Sequence, residues 1–302
     1  MYWSGANGTL TKSTFFNNIA IDAGGVYWSG ANGAINESNF TSNSAVNGGG
    51  AVRFSSGAVN CTISNCNFIS NTAVNGGSVD WYGANGTLID STFTGNTATN
   101  NGGGIFWSGS NSNMSNCNFT DNCAPNGDNV YWYWTVEEFL NKYGQINDYD
   151  YVYILNGVGT PSSTIVLNKK GITISSQGNV TFDAKGGNLH FEVTGDNVLI
   201  EKITFRNFNF TNRGGVLRWF GNNGTLKNCN FISNRANYGG GIYWNGANGT
   251  LIDSSFINNT VTVDGGGVRW TGANGTISAC TFNGNKAVLH GGGVDWVGLK
   301  VL

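Results

Sequence analysis

The chain has 302 residues, 47 of them glycine and only 2 proline; 11% are charged and the net charge is -2. That length can bury a long core, but the charge balance offers no electrostatic lure for nucleic acid or an anionic membrane. The sequence contains no run of 18 apolar residues and no basic-then-apolar leader, so neither a membrane-spanning segment nor a signal peptide is read in it.

Along the chain, a phenylalanine followed three residues later by an asparagine recurs as Phe15/Asn18, Phe40/Asn43, Phe68/Asn71, Phe93/Asn96 and Phe119/Asn122. After a gap it returns as Phe231/Asn234, Phe256/Asn259 and Phe282/Asn285, with spacings of 25 to 28 residues inside each run. A fixed period of this size marks a solenoid, in which residues of one slot stack across neighbouring coils. The unit at residues 77 to 98 contains three short strand signals, Val79 to Tyr82, Thr87 to Ile89 and Ser91 to Thr94, punctuated by Gly and Asn. No helix fits between them, and a propeller blade needs about 40 residues per repeat or more. The expected fold is therefore all-β: a right-handed parallel β-helix with about three strands per coil of 25 to 28 residues. Its handedness follows from the preference of parallel crossovers.

The slots show where side chains point. An aliphatic slot (Val26, Val52, Val79, Ile105, Val130, Leu217, Ile242, Val268, Val294) lies two residues before an aromatic one (Trp3, Trp28, Phe54, Trp81, Trp107, Trp132, Trp219, Trp244, Trp270, Trp296). Strand alternation puts both on one face, expected to be the core. The residue between them faces the other way: Tyr2, Tyr27, Arg53, Asp80, Phe106, Tyr131, Arg218, Tyr243, Arg269 and Asp295. Because charges occupy only this middle slot, it is expected to be the solvent face.

The Phe column is the second core stripe, and Asn18, Asn43, Asn71, Asn96, Asn122, Asn234, Asn259 and Asn285 form a structural ladder beside it, their amides bonding up and down the stack. The glycine pairs before the first strand (Gly24/Gly25, Gly103/Gly104, Gly240/Gly241, Gly266/Gly267, Gly292/Gly293) are expected to supply corner backbone angles that bulkier residues resist. Of the six cysteines, Cys66, Cys117, Cys229 and Cys280 share one slot, which serine fills in other coils. Cysteines two coils apart are about 9.6 Å distant, beyond the roughly 7 Å limit for a bridge. All six are expected to be free thiols, and with no Cys-x-x-Cys or His pair no zinc site is read.

Residues 133 to 204 break the rhythm. Thr135 and Glu138 make a capping box, Val136, Phe139, Leu140 and Tyr143 follow helical spacing, and Gly144 stops the run. One short capping α-helix is expected, followed by strand-like runs that lack the Trp and Phe-x-x-Asn slots. The organisation expected is a repeat block over 1 to 134 and a helix cap with a second block over 135 to 302. Met1 stands in an aliphatic slot, and Val301 and Leu302 stand one strand into a coil, so the chain reads as a piece of a longer protein whose signal and anchor lie elsewhere.

The Gly-Gly-Val-Tyr-Trp-Ser-Gly-Ala-Asn-Gly of residues 24 to 33, together with the Phe-x-x-Asn found within 81 to 96, resembles the adhesin-like surface proteins of methanogenic archaea. The repeats are also similar, more distantly, to the Gly-Gly-Ala-Ile and Phe-x-x-Asn repeats of chlamydial polymorphic outer-membrane proteins. What the resemblance implies is a β-helix on an extracellular surface, used for attachment to a host or neighbouring cell or to polysaccharide. It carries over no ligand and no catalytic residue.

The rival reading is a polysaccharide lyase or glycoside hydrolase, which needs paired carboxylates at set distances or an Asp cluster holding calcium. Here Arg53 stands beside Asp80 and Arg269 beside Asp295, read as surface ion pairs. The corner slot Lys12, Glu37, Asn65, Asp90, Asn116, Asn228, Asp253, Ala279 puts no two acids next to each other, and His190 and His290 stand alone. No catalytic residue, metal or cofactor is therefore assigned. The candidate ligand-binding surface is Tyr2, Tyr27, Arg53, Asp80, Phe106, Tyr131, Tyr243 and Arg269, where spaced aromatics can stack on sugar rings and Arg and Asp can bond hydroxyls. A passive stalk is the third reading. Sequons at Asn7, Asn85, Asn223, Asn248 and Asn274 lie in Asn-Gly-Thr turns open to glycosylation.

Overall fold

The short polar-apolar alternations between Gly and Asn corners leave the backbone one economical way to satisfy its hydrogen bonds, which is pairing with the same segment one coil away. In the computed structural model, which describes residues 1–297, the chain is a parallel β-solenoid of about 11 turns with a single short α-helix, Val136–Lys142. Val301 and Leu302, read from the sequence as ending the chain in mid-coil, lie outside the described residues. Two compact units are formed: Met1–Trp134 with Gln145–Tyr153, and Thr135–Gly144 with the chain from Ile154 onward.

In the first unit, each coil pairs like slot with like slot. Phe68 is in register with Phe93 and Phe93 with Phe119, while Trp81 is in register with Trp107 and Trp107 with Trp132. Trp28, Trp81, Trp107 and Trp132 are fully buried and Trp3 half-buried, and the rings stack at 4.8 Å for Trp3/Trp28 and 4.7 Å for Trp81/Trp107; the Phe column repeats at 4.7 to 5.0 Å. Aromatic pairs of this kind contribute about 0.5–1.5 kcal/mol each beyond their buried area.

A fourth short strand adds to the three read from sequence: Ile19–Ala20, Ser44–Ala45, Thr72–Asn75 and Thr97–Asn101 pair from coil to coil. Its inward residue is only an alanine, with Ala45, Ala73 and Ala98 buried, and its outward neighbours mix polar residues such as Thr72 and Thr97 with the exposed apolar Ile19 and Val74. Such a strand has no apolar alternation to betray it.

Each coil turns its tight corners on single residues in the left-handed region, as at Asn85 (φ 57°), Asp90 (φ 51°) and Gly95 (φ 63°). Asn and Asp tolerate that region better than other residues with a Cβ, which accounts for much of the Asn content. The glycine pairs work differently from the sequence expectation. Positive φ belongs to the glycine before the pair, such as Gly102 (φ 64°) and Gly265 (φ 72°). Within the pair the requirement is close approach: a Cβ at Gly25 would lie 2.7 Å from the Ala51 carbonyl oxygen, and one at Gly104 2.7 Å from that of Asn129.

A further glycine slot makes room for the Trp column. A Cβ at Gly86 would lie 2.7 Å from the Trp81 indole, and Gly33, Gly224, Gly249 and Gly275 meet their tryptophans likewise. In the coil where Phe54 replaces Trp, Cys61 replaces this glycine, and both are fully buried, so a larger corner residue fills the volume a smaller ring leaves.

In the second unit, the strands that lack the sequence signature still use its slots. Val193 is in register with Trp219 and Phe205 with Phe231, so they occupy the Trp and Phe positions of the coil before the regular repeats begin. The helix has the Thr135/Glu138 capping box, and its buried Phe139 packs on Phe182 with ring centroids 5.5 Å apart. Val136 faces Gly157, and Tyr143 donates a hydrogen bond to the Thr164 carbonyl at 3.2 Å. The helix thereby covers core and strand edge that would otherwise be exposed.

Candidate functional site

The third strand and its corner deliver the Phe-x-x-Asn asparagines inward. The Asn71 backbone N–H and side-chain amide both donate to Asn96 Oδ1, at 2.9 and 3.0 Å, and Asn96 does the same to Asn122 Oδ1 at 3.0 and 2.9 Å. Each amide also donates to the Phe carbonyl of the preceding coil, as Asn96 does to Phe68. Asn43, Asn71, Asn96, Asn234 and Asn259 are fully buried, Asn122 nearly so; Asn285 is half-buried and Asn18, at the start of its stack, is exposed. The first column closes on Asn129, whose Oδ1 accepts from Asn122 at 3.3 Å. The second begins where the Phe208 N–H donates to Asn234 Oδ1 at 3.0 Å. With its hydrogen bonds spent inside, this column offers nothing to a ligand.

The outward middle slot of the first unit is less open than a solvent face. Tyr2 is exposed and stacks on half-buried Tyr27 at 5.5 Å; Phe106 stacks on Tyr131 at 5.4 Å, and Tyr131 on Tyr151 at 4.9 Å. Burial, reinforced by the neighbouring tyrosines, raises the Tyr131 phenol above its ordinary pKa. Between these stacks Asp80 is 1% exposed. Arg53 lies 3.3 Å from it and 2.7 Å from Asp22, and lies over the Tyr82 ring at 5.3 Å. Burial lifts the Asp80 carboxyl to about 7; Arg53 opposes the shift and Asp22 adds to it. The Arg53/Asp80 pair is thus a largely buried cluster rather than the surface ion pair read from sequence, because Asp22 and Tyr82 close over it.

The same slot in the second unit is interlocked. Tyr243 is buried, and its hydroxyl accepts from Arg213 at 3.2 Å; Arg213 also lies over the Tyr243 ring. Arg269 pairs with Asp264 at 2.9 Å and with Asp295, and lies over Tyr238 at 5.7 Å. Neither histidine stands alone as the sequence suggests. His190 packs on Phe210 at 4.1 Å beside Arg218 and Glu192, and His290 Nδ1 lies 2.9 Å from Asp264. Of the eight residues of the candidate surface, Arg53, Asp80, Tyr243 and Arg269 are therefore engaged by internal partners, whereas Tyr2, Tyr27, Phe106 and Tyr131 present stacked rings.

Two features are absent from the sequence reading. First, the turn asparagines form a second, exposed ladder: Asn32 donates to Asn7, Asn60 to Asn32 and Asn85 to Asn60 at 2.9 to 3.0 Å, and Asn248 donates to Asn223 at 3.0 Å. The amides of Asn85 and Asn248, both in sequons, are thus already committed as donors. Second, the second unit has two shallow grooves along its third corner and fourth strand. One, of about 480 Å³, is lined by Lys185, Asn207, Asn209, Ser233, Arg235 and Asn258 among others. Its neighbour, about 470 Å³, shares Asn209, Arg235 and Thr260 and adds Phe210 and Asn237. The legible signal is the slot after the ladder asparagine, which reads Ile19, Ser44, Thr72, Thr97, Cys123 in one run and Arg235, Thr260, Lys286 in the other.

All six cysteines are free. Burial raises Cys66 and Cys117 to about 11 and Cys229 to about 12, leaving little thiolate at neutral pH, whereas Cys123 is exposed. Among the described residues no group of three or more His, Cys, Asp or Glu could hold a metal ion, and no helix is long and apolar enough to cross a membrane.

Residues 90–106, which run from the second-strand corner through Phe93, Asn96 and the Gly103/Gly104 pair, match the Chlamydia polymorphic membrane protein repeat. No curated protein and no solved structure matches the chain. A repeat of this kind on a parallel β-solenoid fits a surface, adhesin-like β-helix protein.

Proposed function

We propose that the chain is a non-catalytic part of an extracellular, cell-surface adhesin-like protein that attaches to cells or polysaccharide through an elongated β-helix. The observation that carries this reading is the division of labour in the repeat. Inward slots are filled by ring stacks and the Asn ladder, while the outward slot of the first unit presents Tyr2/Tyr27 and Phe106/Tyr131 as stacked aromatic platforms. Aromatic faces held rigidly on a sheet suit the apolar faces of sugar rings. The acids best placed for chemistry, Asp80 and Asp264, are each bound to an arginine, which does not supply the carboxylate pair that glycoside hydrolysis requires.

A glycan array probed with the parent chain and with Tyr27→Ala tests the reading. Attachment predicts glycan binding by the parent that weakens in the variant, with stability changed by no more than about 0.5 kcal/mol. A chain that binds nothing is a spacer, and release of reducing ends or unsaturated products from a bound polysaccharide would make it an enzyme.

A further inference from the structure

The grooves of the second unit have the chemistry of a different ligand from the aromatic platforms. Lys185 turns a corner with φ of 51°, in the coil before Asn207. Asn209, Arg235, Thr260 and Lys286 then follow one another in register along the fourth strand, at successive coil spacings of about 4.8 Å. The side chains of Arg235 and Lys185 are exposed, form no ion pair among the described residues, and share a groove whose lining contains no acid. Asp183, two residues before Lys185, accepts from the Lys185 backbone N–H at 2.9 Å, from Arg206 at 2.9 Å and from Asn207 at 3.0 Å. Elsewhere Arg53, Arg206, Arg218 and Arg269 have acidic partners and Arg213 donates to the Tyr243 hydroxyl, so among the described arginines Arg235 is distinguished by having neither kind of partner.

We propose that this groove binds an acidic polysaccharide. Anionic substituents of the sugars, carboxylate or sulfate, meet Arg235 and Lys185, with Lys286 in line two coils beyond Arg235. Hydroxyls meet the amide and hydroxyl groups of Asn209, Asn258 and Thr260, and Phe210 in the adjoining groove offers an apolar edge to a ring. A guanidinium unpaired in the free protein suits this task, because it forms charge-assisted, bidentate bonds to carboxylate or sulfate without first breaking an internal ion pair. An open trough crossed by repeated coils suits a chain rather than a compact molecule. The inference rests on the attachment reading and assigns it a ligand class and a site.

The test is titration of the full chain with polygalacturonate, with dextran sulfate and with uncharged dextran, comparing the parent with the R235Q/K185Q double variant. Thermal melts show that the variant folds, and R235K/K185R tests charge alone. The expected result is parent binding to at least one polyanion, weakened by added salt, with no dextran binding and at least about a tenfold loss in the double variant. Which polyanion binds distinguishes carboxylate from sulfate. The proposal is overturned if the double variant binds like the parent, if dextran binds equally, or if single-stranded DNA displaces the polyanion equally well per charge. A parent that binds neither polyanion yet retains neutral glycans on the array also overturns the groove and leaves the attachment reading standing; loss of all glycan binding removes both.

Discussion

The two units build the same coil and dress it differently. Inside, they are interchangeable: Trp on Trp, Phe on Phe, and Asn donating to Asn recur in both with the same geometry. Outside, the first unit shows aromatic stacks broken by one buried Asp22/Arg53/Asp80 cluster, whereas the second shows arginines wedged among aromatics and acids, and a groove with two unpaired cations. In a solenoid each inward residue is constrained by identical neighbours above and below, so variation and function accumulate in outward slots.

The strongest way to break this comparison is to attack the shared interior. Asn96→Ala leaves the Asn71 N–H without its acceptor and takes one donor each from the Phe68 carbonyl and from Asn122 Oδ1, which keeps the backbone N–H of residue 96, and should destabilise the chain by about 2–4 kcal/mol in denaturant melts. Asn259→Ala should behave alike, because its bonds repeat the pattern. Exposed Asn18 at the stack end should be far more tolerant. Equal tolerance at Asn96 and Asn18 would mean that the column is not a cooperative ladder.

The outward acids of the two units should respond to pH in opposite directions. The Asp80 carboxyl, raised by burial to about 7, holds its proton in the folded state over a range where the unfolded chain has lost it. Its contribution is therefore full below about pH 4 and is lost as pH rises to about 7, on the order of 4 kcal/mol in all. Asp80→Asn, which mimics the protonated form, should flatten that slope. Asp264 is shifted down: burial opposes ionisation, but hydrogen bonds from Arg269 and His290 prevail. Its contribution is present above its unfolded pKa and is lost on acidification through the lower folded value. A Asp80→Asn chain with an unchanged stability–pH profile between 4 and 7 would show that Arg53 keeps Asp80 ionised throughout.

The pairing of tryptophan with corner glycine can be tested by transplanting one natural coil into another. Gly249→Ala drives a Cβ into the Trp244 indole and should cost about 2–3 kcal/mol. Trp244→Phe together with Gly249→Cys reproduces the Phe54/Cys61 combination and should recover part of the loss expected from summing the single changes. Strict additivity in that double-mutant cycle would remove the compensation argument.

The smallest expected effect is at a corner. Ala279 sits at φ 50° where neighbouring coils use Asn228 and Asp253, so Ala279→Asn should stabilise by about 0.5–1 kcal/mol. A neutral or destabilising result would place some other demand on that corner.

Much of the fold was legible because repetition turns each slot into several independent observations. The period, the strands, the inward Trp and Phe columns and the Thr135/Glu138 helix start can all be read from residue spacing alone. The fourth strand could not be, since one small inward alanine flanked by outward residues as different as Ile19, Thr72 and Val74 carries no consistent alternation. The distinction among glycines was also hidden, because composition does not separate a positive φ at Gly102 from backbone crowding at Gly104. What only the tertiary structure decided is the fate of the outward side chains. Arg53 and Arg235 both stand in outward slots, yet one is folded between Asp22 and Asp80 and the other faces an open groove. Strand alternation determines whether a side chain points in or out. Whether an outward charge is free depends on what the neighbouring coils and corners bring within a few ångströms of it, and that is a property of the assembled solenoid.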